Sequence, residues 1–217
     1  MKKCIIFDMD GTLVNTYQGI FNSYKYAMDK MNIDFLGDEL VGKAIGAPLL
    51  SVFKEIVSLD DAQAREAVKY YREYYSLRGV NEVKLYDGME CVLSSLREEN
   101  YLLGVATLKR ERFAKTILKQ LGISKYFDNV CGIDENDSLT KKDLIEKCIK
   151  TLNVNKEDAI LIGDSEYDLE GAQMANIKFL AVLYGFGFQN CRLNNLVSVT
   201  RVEEILDAVK LLSEKAI

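Results

Sequence analysis

The stretch Cys4-Ile5-Ile6-Phe7-Asp8-Met9-Asp10-Gly11-Thr12 decides the fold. Its four apolar residues run without alternation, as in a parallel strand covered on both faces. Two aspartates and a glycine come directly after them. In an open α/β sheet the carboxyl ends of the strands line the ligand crevice. Asp8 and Asp10 are therefore expected at that edge, on similar sides of the strand. Two acids there repel each other unless a cation or a shared proton sits between them. Gly11 permits a sharp departure of the backbone. A calcium loop needs glycine at its sixth position and glutamate at its twelfth. Counted from Asp8, Gly11 is fourth and Gly19 twelfth, so that reading fails.

Further apolar runs predict strands at Leu102–Ala106, Asn129–Cys131, Ala159–Ile162 and Phe179–Leu183. Helical spacing predicts helices over Gly88–Asn100, Arg112–Leu121, Lys141–Leu152 and Val202–Glu214. This alternation is that of an α/β fold with a doubly wound parallel sheet. From about Thr16 to Lys84 the rhythm breaks. Ile20, Tyr24, Ala27, Met28 and Met31 recur at helical spacing, as do Ala64, Ala67, Val68, Tyr71, Tyr74 and Tyr75 after the capping candidates Asp60 and Asp61. A crossover needs about a dozen residues. The expectation is a small all-helical domain over 16–84, inserted into a core made of 1–15 and 85–217. The tyrosines read first as packing residues.

The fourth strand ends like the first, in Gly163-Asp164-Ser165-Glu166-Tyr167-Asp168. Asp164 and Asp168 join Asp8 and Asp10 at one edge, and such a cluster suits a hard, oxygen-liganded cation such as Mg²⁺. The second strand runs into Thr107-Leu108-Lys109, where the Thr107 hydroxyl and a backbone N–H near a helix start are offered to an oxyanion. Thr140-Lys141-Lys142-Asp143 opens the next helix. A lysine in a first turn opposes the macrodipole and makes sense if an anion sits there; the residues alone leave Lys141 and Lys142 open.

Composition narrows the chemistry. The 217 residues carry no histidine, which removes Ser-His-Asp, Cys-His and His-rich zinc machinery. Charged residues make up 28% and the net charge is −5, so neither nucleic acid nor an anionic membrane is an expected partner. Five cysteines, odd in number and widely spaced (Cys4, Cys91, Cys131, Cys148, Cys191), read as reduced thiols of a cytoplasmic protein. Neither a secretory leader nor an apolar run near the ~18 residues of a membrane span is expected. Cys91 to Arg97 has the C-x5-R spacing of cysteine phosphatases, but no glycine lies between them and the stretch is helical in pattern.

Asp8-Met9-Asp10-Gly11-Thr12, then Thr107, Lys141, and Gly163-Asp164 with Asp168 resemble, in order, the four motifs of the haloacid dehalogenase superfamily. Leu85-Tyr86-Asp87-Gly88-Met89, Lys125-Tyr126-Phe127-Asp128 and Leu183-Tyr184-Gly185-Phe186-Gly187 are similar to its phosphoglycolate phosphatase-like group. The helical insert resembles the type-one cap. Where members often carry serine or asparagine and then Lys-Pro after the threonine, this chain has Leu108-Lys109-Arg110.

The resemblance implies Mg²⁺-dependent hydrolysis of a small phosphorylated metabolite by way of an aspartyl-phosphate. Asp8 is then the nucleophile and Asp10 the proton donor and acceptor. Asp8, the Asp10 carbonyl, Asp164 and Asp168 serve the metal. Thr107, Leu108 and Lys141 hold the phosphoryl oxygens, Lys141 being favoured over Lys142 by the run Lys141-Lys142-Asp143-Leu144-Ile145. The turn Gly42-Lys43-Ala44-Ile45-Gly46-Ala47-Pro48 is similar to a substrate-facing cap turn and makes Lys43 a substrate candidate. Asp10 speaks against a dehalogenase and a phosphonate-cleaving relative. A phosphosugar mutase uses the same two aspartates and is the enzyme alternative; a non-catalytic phosphate-binding module is the alternative of another class. No protein partner is implied.

Overall fold

The structure is a computed structural model and describes residues 3–134, 138–188, 193 and 196–214. Its main sheet has six parallel strands in the order β5-β4-β1-β6-β7-β8. These are β1 (Cys4–Phe7), β4 (Leu102–Arg110), β5 (Asn129–Ile133), β6 (Ala159–Gly163), β7 (Lys178–Val182) and β8 (Ser198–Val199). β1 lies between β4 and β6, with Phe7 opposite Val105 and Ile162. Chain order runs outward from β1 in both directions, so the crevice of a doubly wound sheet opens at the ends of β1, β4 and β6.

Burial explains the unbroken apolar runs. Ile5 and Phe7 join one core cluster, with Leu93, Leu96 and Val209, while Cys4 and Ile6 join another, with Ile145, Cys148 and Ala172. The first is covered by α5 (Met89–Glu98) and α9 (Ile205–Glu214), the second by α7 (Lys141–Leu152) and α8 (Glu166–Ala175). The strand's period of two thus sends alternate residues into two dry layers. Among the described residues, no helix is long and apolar enough to cross a membrane. Cys191 lies outside the described residues; Cys4, Cys131 and Cys148 are buried free thiols and Cys91 is an exposed one. Cys91 sits within α5, and Arg97 of that helix pairs with Asp128, so the C-x5-R spacing is helical surface.

Between β1 and β4 the chain is helical: α1 (Tyr17–Met31), α2 (Asp38–Ala44), α3 (Leu49–Ser51) running into a π-helical turn over Val52–Ile56, and α4 (Asp61–Leu77). Asp60 caps α4: its carboxylate accepts from Gln63 N at 2.9 Å, and Gln63 answers the Asp60 N–H. Tyr24, Phe53, Tyr71 and Tyr75 pack together, the Tyr71 and Tyr75 rings nearly parallel with centroids 5.9 Å apart. The insert leaves and re-enters through a two-stranded antiparallel ribbon, β2 (Val14–Asn15) against β3 (Lys84–Leu85).

Three features differ from the sequence expectations. β8 and the β2–β3 ribbon, of two residues per strand, are too short to leave a periodic signal. β4 runs on to Arg110 rather than stopping near Ala106, with a register shift between Thr107 and Arg110. Thr107 and Leu108 therefore lie in an irregular strand end, and α6 (Glu111–Gln120) begins only after it.

Candidate active site

Asp8 extends the β1 ladder by one residue, its N–H donating to Ile162 O at 2.8 Å. The chain then turns tightly. The N–H groups of Thr12, Leu13 and Val14 all donate to the Met9 carbonyl, and Gly11 takes φ 83°, where a side chain is strained. This loop meets the end of β6. Asp164 Oδ1 accepts from Thr12 Oγ1 at 3.2 Å, and Oδ2 accepts from the N–H groups of Phe186 (2.7 Å) and Gly187 (3.2 Å). A Cβ placed on Gly185 would lie 2.4 Å from Asp164 Oδ2 and from Gly11 O, so only glycine fits where the three segments converge.

Ser165 caps α8 and orients Asp168. The Ser165 hydroxyl and N–H both donate to Asp168 Oδ2, at 2.6 and 3.1 Å. That leaves Asp168 Oδ1 for Lys141, whose Nζ lies 2.5 Å from it and 2.5 Å from Asp8 Oδ1. Lys141 is 6% exposed at the first turn of α7, where two buried carboxylates answer its charge. Lys142, beside it, is half-buried and makes neither contact.

Ligand oxygens of Asp8, Asp164 and Asp168 all lie within 4.8 Å of one another. Burial pushes the Asp8 carboxyl up to about 8; Lys141 opposes this, and Asp168, Asp164 and Asp10 add to it. Burial and then Asp168 push Asp164 up to about 7, against the donors from Phe186, Gly187 and Thr12. Burial alone depresses the Lys141 ammonium, but Asp168 and Asp8 more than reverse that and raise it. Three buried carboxylates with one lysine among them are short of positive charge, and a hard divalent cation with oxygen ligands fits that donor set.

Asp10 stands apart from this trio. Its Oδ2 pairs with Lys109 Nζ at 3.0 Å, and its Oδ1 is buried with no hydrogen-bond partner among the described residues. Thr107 is 1% exposed, and its hydroxyl accepts from Lys109 N at 3.2 Å. The Leu108 side chain packs into the core layer beneath α7 and α8. Lys43 is not brought to the site: its side chain is 60% exposed and pairs with Glu39 one helical turn away. The turn that carries it does approach, since a Cβ on Gly46 would sit 3.6 Å from Ser165 Oγ.

Sequence reasoning missed Lys109 as a site residue. Strand alternation extended past Ala106 puts Thr107 and Lys109 in phase, which is the signal that finds it. It also missed the Ser165 cap and the Phe186 and Gly187 N–H donors; the last two have no side-chain signature. The insert reaches the edge of the site at two points. Tyr17 of α1 lies against Phe186 with ring centroids 6.2 Å apart, and Tyr75 of α4 accepts from Lys109 Nζ at 2.8 Å. Asp8, Asp10, Asp164 and Asp168 are all buried.

Residues 5–182 match the family of haloacid dehalogenase-like hydrolases. A 5'-nucleotidase from Pseudomonas aeruginosa is 33% identical over 187 residues, covering 86% of this chain and 85% of that protein. The pyrophosphatase PpaX from Listeria monocytogenes is 29% identical over 217 aligned positions, covering 92% and 97%. The crystal structure of a predicted phosphatase from Clostridium acetobutylicum superposes with a TM-score of 0.87 at 37% identity, covering 98% of this chain and 99% of that one.

Proposed function

The chain belongs to the haloacid dehalogenase-like hydrolase family, and on that footing we propose that it is a Mg²⁺-dependent phosphatase. It hydrolyses a small phosphorylated metabolite through an aspartyl-phosphate, in the cytoplasm. The reading as a phosphoric monoester hydrolase is supported by the family and by relatives named as a nucleotidase, a pyrophosphatase and a phosphatase. The observation that carries it is the convergence of Asp8, Asp164 and Asp168 around Lys141 at the end of β1.

The chemistry is set by the positions. Asp8 Oδ attacks phosphorus, and the bond from phosphorus to the leaving oxygen breaks. Asp10, whose Oδ1 has no other partner, gives the leaving oxygen its proton. Water then attacks the phosphorus of the acyl phosphate while Asp10 takes up a proton, and inorganic phosphate departs. Lys141 and Thr107 hold the phosphoryl oxygens, together with the backbone of Leu108. Asp8, Asp164 and Asp168, with the Asp10 carbonyl, would hold Mg²⁺. The ion supplies positive charge that offsets repulsion between the nucleophilic carboxylate and the phosphate dianion. Residues 16–84 act as the cap, and the burial of the acids beneath it favours a small substrate.

The test is a screen of phosphorylated metabolites with Mg²⁺, including nucleoside monophosphates, sugar phosphates, pyrophosphate and phosphoglycolate. Phosphate release, together with a trapped phosphoryl group on Asp8, is the expected outcome. Rearranged sugar phosphate without phosphate release would replace the hydrolase with a mutase. Ligand binding with no turnover of any substrate would leave a binding module.

A further inference from the structure

Lys109 is a buried cation that the hydrolytic scheme does not use. Its side chain is 7% exposed, and it touches two elements at once. Toward the core its Nζ lies 3.0 Å from Asp10 Oδ2. Toward the insert it donates to the Tyr75 hydroxyl at 2.8 Å and lies 4.5 Å from the centre of the Tyr75 ring. Tyr75 belongs to α4 of the insert and is 2% exposed. It is seated by Phe113 of α6 on the core side, edge to face with centroids 5.2 Å apart, and by the parallel ring of Tyr71 on the insert side. Burial on its own lowers the Lys109 ammonium's affinity for its proton; Asp10 and then Tyr75 restore it, and the ammonium stays charged.

We infer that Lys109 is a positioning residue that makes the orientation of Asp10 depend on the insert being docked, through the juxtaposition of Asp10 Oδ2, Lys109 Nζ and the Tyr75 hydroxyl. With Tyr75 seated, the ammonium is fixed between two partners. Asp10 is then held by one oxygen, which leaves Oδ1 unpartnered for proton transfer. When the insert lifts, Tyr75 leaves with α4. The ammonium loses an acceptor and an aromatic face, gains water, and no longer fixes the carboxylate. Proton transfer at Asp10 is thereby tied to the closed state, in which water is excluded. The inference rests on the phosphatase reading for the role of Asp10, but the Lys109–Tyr75 tie itself can be read without turnover.

The first measurement is amide hydrogen exchange on the full chain without substrate. Tyr75→Phe, which keeps the ring and deletes one hydroxyl, and Lys109→Met are both expected to speed exchange where α4 meets β4 and α6, and to leave β6 and β7 unchanged. The second is the kinetics of a small phosphomonoester with Mg²⁺. Losing a hydrogen bond to a charged group predicts a fall in kcat of about tenfold to a hundredfold, with KM within about threefold. Because both variants break one connection, Tyr75→Phe should add little in the Lys109→Met background. Lys109→Arg should recover part of kcat.

Unchanged exchange in both variants overturns the inference, as do kinetic effects that multiply. A raised KM at constant kcat in Lys109→Met also overturns it and makes Lys109 a substrate ligand. If Lys109→Met does not fold, Tyr75→Phe carries the same two readouts. A wild-type chain that hydrolyses no phosphomonoester, while exchange responds as stated, removes the phosphatase reading and leaves the tie standing.

Discussion

Lys141 Nζ lies 2.5 Å from Asp8 Oδ1, across 133 positions of sequence, with both side chains buried. The ammonium opposes protonation of Asp8, but burial outweighs it and the carboxyl is still pushed up to about 8. On the proposed mechanism Asp8 attacks as the carboxylate, and a bound divalent cation would add to the positive charge that favours that form. Asp8→Asn keeps the shape and removes the attacking charge. Turnover should fall by at least about a thousandfold with the circular dichroism unchanged. Activity within about tenfold of wild type takes the nucleophile's role away from Asp8.

The same buried acids make stability depend on pH. Asp8, ordinarily at 3.8, is pushed up to about 8, and Asp164, from the same value, to about 7. The folded chain therefore holds protons that the unfolded chain has already released. Stability from this source is full below the unfolded value and is lost as pH rises through the folded ones. Metal-free protein should melt at a higher temperature near pH 5 than near pH 8. Adding Mg²⁺ should raise Tm at pH 8 more than at pH 5, because ionised carboxylates bind the cation. Chelation should abolish turnover and Mg²⁺ restore it. Full activity in a chelator with no metal found in the protein, or a Tm that rises from pH 5 to 8 without metal, contradicts this account.

Gly171 of α8 marks where Lys141 passes between helices. A methyl there would lie 2.6 Å from Lys141 Cγ and 3.0 Å from its Cβ, near the root of the side chain, where it cannot swing away. Gly171→Ala should gain helix propensity yet lose about 1–3 kcal/mol to overpacking. It should also lower kcat by displacing the Lys141 ammonium. Gly42, in α2, has open space around it, and Gly42→Ala should stabilise by up to about 1 kcal/mol. Urea midpoints for the two variants test the contrast; equal shifts would refute the crowding at Lys141.

Much of this site was legible because it depends on strand ends. The runs that became β1 and β6 announce themselves by being apolar throughout, and the residues just past an apolar run in such a sheet fall at the crevice. Asp8, Asp10 and Asp164 needed no more than that. Lys109 was hidden because the apolar run ends at Ala106, so the residues after it read as a strand end and a helix start, whereas β4 runs on to Arg110. Its partner Tyr75 lies 34 positions away on a helix whose aromatic spacing signals packing first. The fate of Lys43 was written in its own helix, where Glu39 stands four residues earlier and draws the ammonium along the surface.

We predict that substrate entry requires the insert to move. Asp8, Asp10, Asp164 and Asp168 are 5%, 8%, 2% and 1% exposed, so a phosphorylated substrate reaches Asp8 only once the crevice opens. The insert joins the core through Val14–Asn15 and Lys84–Leu85, two strands of two residues with one hydrogen-bonded register between them. The ribbon is short enough to bend as a unit, and its strand β2 bridges to Asp10 through Val14, so a rotation there would open the crevice. Near it the Thr16 and Tyr86 hydroxyl oxygens are buried without a hydrogen-bond partner among the described residues, so bending there breaks no side-chain hydrogen bond of theirs within that set. Small-angle scattering should show a larger radius of gyration for the free chain than for the chain with Mg²⁺ and a phosphate-mimicking fluoride. A disulfide engineered between α4 and α6 should hold the insert down and abolish turnover until it is reduced. Identical scattering in both states, with full activity in the cross-linked protein, means that substrate enters by another route and that the insert is a fixed wall.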